Sequence, residues 1–379
     1  MKVLHISDLH IGKKVKEFSM LEGQEYILKQ IVDIAKQEKA DGVILAGDIY
    51  DKPVPSVDAV RMLDQFLTCL ADQGILVFGI SGNHDSAERL SFGTQLMRSR
   101  GIYLESVYHG KTEQICFEDA FGTVNLYLLP FLKPATVRHA LKRDDIGSYQ
   151  DAVCAALEQI NLNLSERNIL VAHQFVTGAK TCESEELAIG GLDQINSTLF
   201  DAFDYVALGH IHSPQKIGRE TVHYCGTPLK YSFSEVNQQK SVTVVTLKEK
   251  GMVQVEKRPL IPLRDMRKIK GAYMQVTTRA FYEGQNTQDY VQITLTDEDD
   301  IVDGIQKLRM IYPNLMELVY DNRRTRENQH IDATDTIEEK TELELFEEFF
   351  EKQNNQVMRE EQRKFVEQML QELKEGDVR

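Results

Sequence analysis

The sequence predicts an α/β fold: two stacked sheets flanked by helices, then a small α/β capping domain and a C-terminal helical tail. Three observations predict it. Apolar runs of strand length alternate with helix-length segments through the first half, the pattern of crossover units around a largely buried sheet. Further strand runs at 205–208, 222–225, 242–247 and 253–257 follow one another without helices between them. Last, a polar aperiodic stretch near residue 330 sets a final helical pattern apart from everything before it.

In chain order, residues 3–6, 42–46 and 75–80 read as buried strands, with helices at about 21–39 and 57–72 between them. Residues 124–129 and 169–172 continue the series. The runs 242–247 and 253–257 are joined by a short Lys250-Gly251 turn and read as a hairpin. The mixed first domain spans 1–265. The stretch "KRPLIPLRDMRKIKG", with two prolines and six basic residues, reads as a domain-crossing linker. Beyond it, "DYVQITLTD", a helix over 301–310 and "NLMELVYDN" form a strand–helix–strand unit within a capping domain, 266–325. Residues 326–340 read as a tether, and 341–379 as a helical docking segment.

A chain of 379 residues exceeds what one compact core usually holds. Its composition, 42% hydrophobic and 27% charged, is that of a globular protein. No apolar run approaches the roughly 20 residues that cross a bilayer, and the first strand carries His and Asp where a signal peptide would be apolar. A cytoplasmic protein is expected. Five cysteines without C-x-x-C spacing argue against a disulfide framework or a zinc ribbon and are expected to be packing residues. The net charge of −15 is uneven: residues 331–379 hold fifteen acidic and seven basic side chains, or −8. The remainder is mildly acidic, which leaves room for a local basic patch.

Five predicted strand ends carry groups that can hold metal: Asp8 and His10 in "SDLH", Asp48 and Asp51 in "AGDIYD", Asn83, His84 and Asp85 in "SGNHD", His173 in "VAHQ", and His210 and His212 in "LGHIH". One such pair alone is more often a surface Asp and a strand-end His. Five in order are another matter, because the carboxyl ends of strands in α/β sheets converge on one crevice. Two ions about 3.5–4 Å apart need a shared carboxylate, and Asp48 suits that place. Gly47, Gly82 and Gly209 leave room for close backbone approach. Mixed imidazole and oxygen donors favour manganese, iron or zinc over magnesium, and of these manganese is expected. His5 reads as packing.

The order D-x-H, G-D-x-x-D, G-N-H-D, H, G-H-x-H resembles the calcineurin-like metallophosphoesterase superfamily, whose fold is a two-sheet sandwich. "GTPLKYSFSE" and the "LFEEFFEKQN" tail are similar to those of the nuclease subunits of bacterial SbcC–SbcD complexes, relatives of the Mre nucleases. The resemblance implies that Asp8, His10, Asp48 and His212 hold one metal, and Asp48, Asn83, His173 and His210 the other. His84 would then be a general acid, a task suited to imidazole, with Asp85 orienting it or capping a helix. It further implies ATP-stimulated 3′-to-5′ exonuclease action on duplex ends and endonuclease action on hairpins and single strands, in DNA repair, recombination and replication. A homodimer within a heterotetramer is expected from the same source.

No G-x-x-x-x-G-K-[ST] loop occurs, so ATP dependence would come from the SbcC ATPase partner. The protein phosphatases of the superfamily carry an Arg after the second motif where this chain has Lys52, which disfavours monoester chemistry. A metallophosphatase or small-molecule phosphodiesterase is the alternative. Lys13, Lys14, Lys16, Lys52, Arg89 and Lys230 adjoin the motifs and could track DNA phosphates. Nothing suggests base-specific reading. Leu343, Phe346, Phe349, Phe350, Phe365, Met369 and Leu373 recur at helical spacing and are the candidate partner-docking stripe.

Overall fold

A computed structural model of the chain describes residues 1–185, 193–323, 325, 341–354 and 357–376. The tether read at 326–340 lies outside the described residues. Two compact units divide at Asp265/Met266.

The first unit contains two six-stranded sheets. One uses β1 (Lys2–Ile6), β2 (Gly42–Ala46), β3 (Leu76–Ile80) and β4 (Ile102–Glu105), all parallel, with β11 (Ser241–Leu247) and β12 (Val253–Pro259) added antiparallel on the β1 side. The other uses β5 (Glu113–Asp119), β6 (Gly122–Leu129), β7 (Arg167–His173), β8 (Tyr205–Gly209), β9 (Gln215–Ile217) and β10 (Arg219–Tyr224) in the order 9-10-8-7-6-5.

Strand alternation decides which side chains meet. Val124, Leu126, Leu128, Ile169, Val171, Tyr205 and Ala207 face the first sheet, where they pack on Val3, Ile44, Phe78, Ile80 and Val245. Their neighbours Tyr127, Leu129, Leu170, Ala172, Val206 and Leu208 face outward. There they are covered by α3 (Pro134–Leu141) and α4 (Tyr149–Glu158), which bury Val137, Ala152, Val153 and Ala156. His5 follows Val3 onto the inner face, is fully buried, and its Nδ1 lies 2.9 Å from the Tyr205 hydroxyl. It is a core residue, as its alternation implies.

Helices α1 (Leu21–Gln37) and α2 (Val57–Asp72) follow β1 and β2. Ile27, Leu28, Ile31, Val32 and Ala35 form the buried stripe of α1, and Ala59, Leu63, Phe66, Leu67 and Leu70 that of α2. Ser56 starts α2 by accepting the Ala59 N–H at 3.2 Å.

In the second unit β13 (Met266–Gly271), β14 (Tyr290–Leu295) and β15 (Leu315–Tyr320) make a parallel three-stranded sheet, with α5 (Gly304–Arg309) in the last crossover. The basic linker read over 257–271 is therefore corrected. Its ends are strands, and only 260–265 connects them, because Met266, Ile269 and Gly271 turn buried positions into the sheet while the charges face out. Helices α6 (Glu342–Asn354) and α7 (Glu360–Gly376) touch each other through an Arg363–Glu347 ion pair of 2.6 Å. Among the described residues no helix is long and apolar enough to cross a membrane.

All five cysteines are free. Only Cys225 is fully buried, while Cys69 and Cys116 are exposed, so the packing role expected for the cysteines is corrected for those two.

Candidate metal centre

The five motif loops leave β1, β2, β3, β7 and β8 at their carboxyl ends. Loops one and two are laced together by backbone: Asp8 N–H to Gly47 C=O at 3.0 Å, His10 N–H to Asp48 C=O at 3.0 Å and Ile11 N–H to Ile49 C=O at 2.9 Å. Loop three is held by Asp85, whose carboxylate accepts from Gly82 at 2.9 Å, Ile49 at 3.0 Å and Tyr50 at 2.9 Å. That is a different task from orienting His84 or capping a helix: Asp85 staples the third loop to the second. Loop five reaches loop one through the His210 N–H, 2.9 Å from Asp8 Oδ1.

Close approach requires glycine at all three positions read for it, and at Gly209 a Cβ would stand 2.0 Å from the Ala46 carbonyl oxygen. A Cβ on Gly82 would stand 2.0 Å from Asp48 Oδ1, and one on Gly47, whose φ is +89°, 2.3 Å from His173 Nδ1. Asp8, His10, Asp48 and His210 also have positive φ, at 51°, 44°, 48° and 103°.

The side chains converge. Asp8, His10 and His212 bring donor atoms within 4.8 Å of one another, as do Asp8, Asp48 and His173, and His10, Asp48 and His84. His10 Nε2 is 3.2 Å from His212 Nε2. Asn83 Oδ1 is 3.0 Å from both His173 Nε2 and His210 Nδ1, and Asp48 Oδ2 is 3.4 Å from His173 Nε2. His84 is the more open member: its side chain is 13% exposed against 3% for Asp48 and 1% for His10. Its Nδ1 is 3.1 Å from the Asp51 carbonyl and its Nε2 4.0 Å from Asp48 Oδ2.

This donor set fits divalent cations. Two carboxylates, Asp8 and Asp48, are buried side by side with four buried imidazoles, and buried charges persist where they are paired or bind metal. His10 Nδ1 and His210 Nε2 are buried without a hydrogen-bond partner. Burial lowers His10 and His210 to about 3 and His212 well below its ordinary value, so these rings are neutral at any physiological pH, the state in which imidazole can bind a cation. Burial, together with the neighbouring Asp48 charge, raises Asp8 to about 7 against the pull of His173. Burial also opposes charge on Asp48 and His173, but their mutual attraction prevails: Asp48 is held well below its usual range and His173 is raised to about 9.

Metal ligation needs both Asp8 and His173 deprotonated. Near pH 7 cation uptake should therefore release one proton from His173 and a fraction of another from Asp8. Apparent affinity should climb with pH and level off above about 9. Manganese titration calorimetry in buffers of different ionisation enthalpy measures this directly, and a buffer-independent heat at pH 7 would contradict it.

The proposed DNA contacts separate into two groups. Lys14, Lys16 and Lys52 are exposed on the first two loops, and Arg89 is exposed on the one-turn helix Ala87–Leu90 behind the third. Lys13 and Lys230 form the second group, each engaged in an ion pair within the protein. Lys13 pairs with Asp51 at 2.8 Å and lies over the Tyr231 ring. Lys230, 10% exposed, pairs with Asp265 and donates to the Val236 carbonyl, both at 2.8 Å. Of the docking stripe, Phe346, Phe349, Phe365 and Met369 are exposed at 39%, 57%, 64% and 47%, and Leu343 and Phe350 are half-buried. Leu373 lies on α7, its side chain outside the described set.

Sequence reasoning missed the supports. Gln24 donates to the carbonyls of His10 at 2.7 Å and Leu9 at 3.2 Å, and the Tyr231 hydroxyl donates to Leu9 C=O at 2.6 Å. Phe131 packs against the His173 and His210 rings, with centroids 6.0 and 6.5 Å away. Tyr231 stands in the "GTPLKYSFSE" stretch; Gln24 and Phe131 carry no signal in the sequence.

Comparison with known proteins agrees with this geometry. The calcineurin-like phosphoesterase family model matches residues 1–214, which contain every ligand candidate. The SbcD C-terminal model, described as type 5 capsule protein repressor C-terminal domain, matches 262–354. The chain is 34% identical over 322 residues to the SbcD subunit of the SbcCD nuclease of Staphylococcus epidermidis, covering 84% of this chain and 85% of that protein. A solved dimetal phosphatase from Danio rerio is similar at 14% identity and TM-score 0.40, covering 69% of this chain and 96% of that one, a likeness too loose to bear on the site. The five motif loops, the family match across them and the extended similarity to the staphylococcal protein together identify the lineage: this chain belongs to the calcineurin-like phosphoesterases, and within them to the SbcD type.

Proposed function

We propose that the chain is a metal-dependent DNA nuclease that hydrolyses phosphodiester bonds with two divalent cations, manganese for preference. The observation carrying this reading is the convergence of seven ligand candidates from five strand ends in a chain similar to a nuclease subunit. Asp8, His10, Asp48 and His212 would hold one ion, and Asp48, Asn83, His173 and His210 the other. When bound, such a pair acts as a Lewis acid that neutralises charge developing on the phosphate during in-line displacement.

The protein's own groups do the rest. A backbone carbonyl only accepts, so the contact with Asp51 C=O keeps the proton on His84 Nδ1. In the doubly protonated ring, Nε2, on the side facing Asp48, then carries the second proton, the one passed to the leaving oxygen. The backbone N–H of His84 donates to Asp48 Oδ1 at 2.9 Å, which fixes the acid's distance from the proposed bridging carboxylate. Lys14, Lys16, Lys52 and Arg89 supply exposed positive charge at the loop edges for sequence-independent backbone contacts.

In this reading the protein works as a homodimer with two copies of the SbcC ATPase, with ATP-stimulated 3′-to-5′ exonuclease and hairpin or single-strand endonuclease activity in repair, recombination and replication. End-labelled blunt duplex and hairpin DNA, incubated with manganese or magnesium and with or without SbcC and ATP, tests it. Intact DNA in every arm, with turnover of nitrophenyl phosphate esters, would make the protein a phosphatase or small-molecule phosphodiesterase instead.

The exposed aromatic stripe of α6 and α7 is proposed as the SbcC-docking surface, since large apolar side chains in water mark interaction sites. Truncation after Ile331 should leave manganese-dependent cleavage intact and abolish SbcC binding in a pull-down; retained binding would defeat the assignment.

A further inference from the structure

Behind His212 stands a buried polar chain that the metal reading does not use. Ser184 Oγ is 2.7 Å from His212 Nδ1 and 2.7 Å from Glu235 Oε1. Glu235 is fully buried, and Lys240 Nζ meets its Oε2 at 2.5 Å. The three ammonium protons of Lys240 have three acceptors: Glu235 Oε2, Gln238 Oε1 at 2.8 Å and the His212 carbonyl at 3.0 Å. Tyr231 N–H, at 3.3 Å, also donates to Glu235 Oε1.

Proton directions follow from these partners. With Lys240, Tyr231 and Ser184 all converging on it, Glu235 is an acceptor only. Of the two groups that could take the Ser184 hydrogen, the buried Glu235 carboxylate at 2.7 Å is a far stronger acceptor than the Cys182 sulfur at 3.2 Å, so the hydrogen goes to Glu235 and an oxygen lone pair faces His212. His212 Nδ1 must then be the N–H, which leaves the lone pair on Nε2, the atom 3.2 Å from His10 Nε2 inside the metal cluster. The backbone of His212 is gripped as well: its N–H donates to Glu185 Oε1 at 2.7 Å, and its carbonyl accepts from Thr227 N–H at 3.1 Å besides Lys240.

We infer that Ser184, Glu235 and Lys240 form a positioning relay that fixes the tautomer and ring orientation of His212 so that Nε2 is always presented as a metal donor. The inference rests on the reading of His212 as a ligand. It also gives the "GTPLKYSFSE" stretch a task, because that stretch ends on Glu235 and begins with Gly226, where a Cβ would stand 2.5 Å from the His212 carbonyl.

Manganese binding to the full chain, followed by the EPR signal of free Mn2+ and fitted to two sites, tests the relay without measuring catalysis. Loss of a group that orients a metal-bound histidine typically weakens affinity 10- to 100-fold. Ser184→Ala should therefore weaken one site by about 10- to 100-fold and leave the other within about twofold, while Ser184→Thr, which keeps the hydroxyl, restores it. His212→Ala should weaken the same site at least as much. Should His212→Ala leave both sites unchanged, the ligand reading itself fails. Weakening by His212→Ala but not by Ser184→Ala overturns the relay alone. A Ser184→Ala protein that melts lower when metal-free, yet binds manganese normally in its folded fraction, would show that Ser184 merely supports the loop and would likewise overturn it.

Discussion

His84→Gln is expected to lower the rate of DNA cleavage by about a hundred- to ten-thousandfold and to leave two manganese ions bound with near-normal affinity. Glutamine matches histidine in reach and can still donate an amide N–H to the Asp51 carbonyl. It cannot carry a transferable proton. His84 sits within 4.8 Å of donor atoms of His10 and Asp48, close enough to be a ligand on distance alone, so the outcome is informative either way. Cleavage and metal stoichiometry measured on one preparation separate the two roles. If an ion is lost together with turnover, His84 is a ligand and the acid must be sought elsewhere.

Asp48→Asn should have the wider effect. Asn is isosteric and its Oδ1 can still take the His84 N–H, so the loops should keep their path. What disappears is the charge shared by both proposed ion sites. Both manganese ions should be lost at concentrations that saturate the native protein, and cleavage should fall by at least about a thousandfold, the scale at which removal of a main charge-stabilising group is felt. A second consequence is visible without metal. Asp48 raises His173 to about 9 against burial. A histidine whose folded value is raised contributes stability that is fully present below the ordinary 6.5 and is lost as pH rises through the folded value. Metal-free native protein should therefore lose stability as pH rises to about 9, with the upper half of that range, from about pH 8, lying above the midpoint of about 7 at which Asp8 titrates. The Asn variant should have a shallower slope there, since only Asp8 and the Ala46 carbonyl then still favour the charged ring against burial. Urea unfolding at several pH values decides it, and equal slopes for the two proteins would refute the pairing.

Much of the first unit could be read from the chain because parallel buried strands are nearly continuous apolar runs. Residues 42–46, 75–80, 124–129 and 205–208 were recognisable for that reason, and the ligand candidates fell directly after such runs. Edge strands were legible only in part: 253–257 and 315–320 were read, others were not. Glu113–Asp119 buries only Ile115, and Met266–Gly271 carries three basic side chains, so both looked like connecting segments. Helix α4 had a local sign, the reciprocal Ser148 and Asp151 capping box, in a polar stretch that otherwise discouraged a helix.

The ligands were legible and their supports were not, and the difference is physical. Motif residues lie within a few positions of a strand end. Ser184, Glu235 and His212 come together across 28 to 51 residues of sequence, with no periodicity to announce it. The Lys13 ion pair was hidden for a similar reason: its partner Asp51 lies 38 residues away.

The backbone of Asp8, His10, Asp48 and His210 sits in the sparsely populated positive-φ region, at roughly 1 kcal/mol or more for each non-glycine residue. Hydrogen bonds between neighbouring loops, among them Asp8 N–H to the Gly47 carbonyl, His10 N–H to the Asp48 carbonyl and His210 N–H to the Asp8 carboxylate, hold these turns in place. The scaffold thus shapes the cage before any cation enters. Stripping the ions with a chelator should accordingly leave the main chain superimposable on its loaded form, and returning them should restore function within mixing time, with no refolding phase.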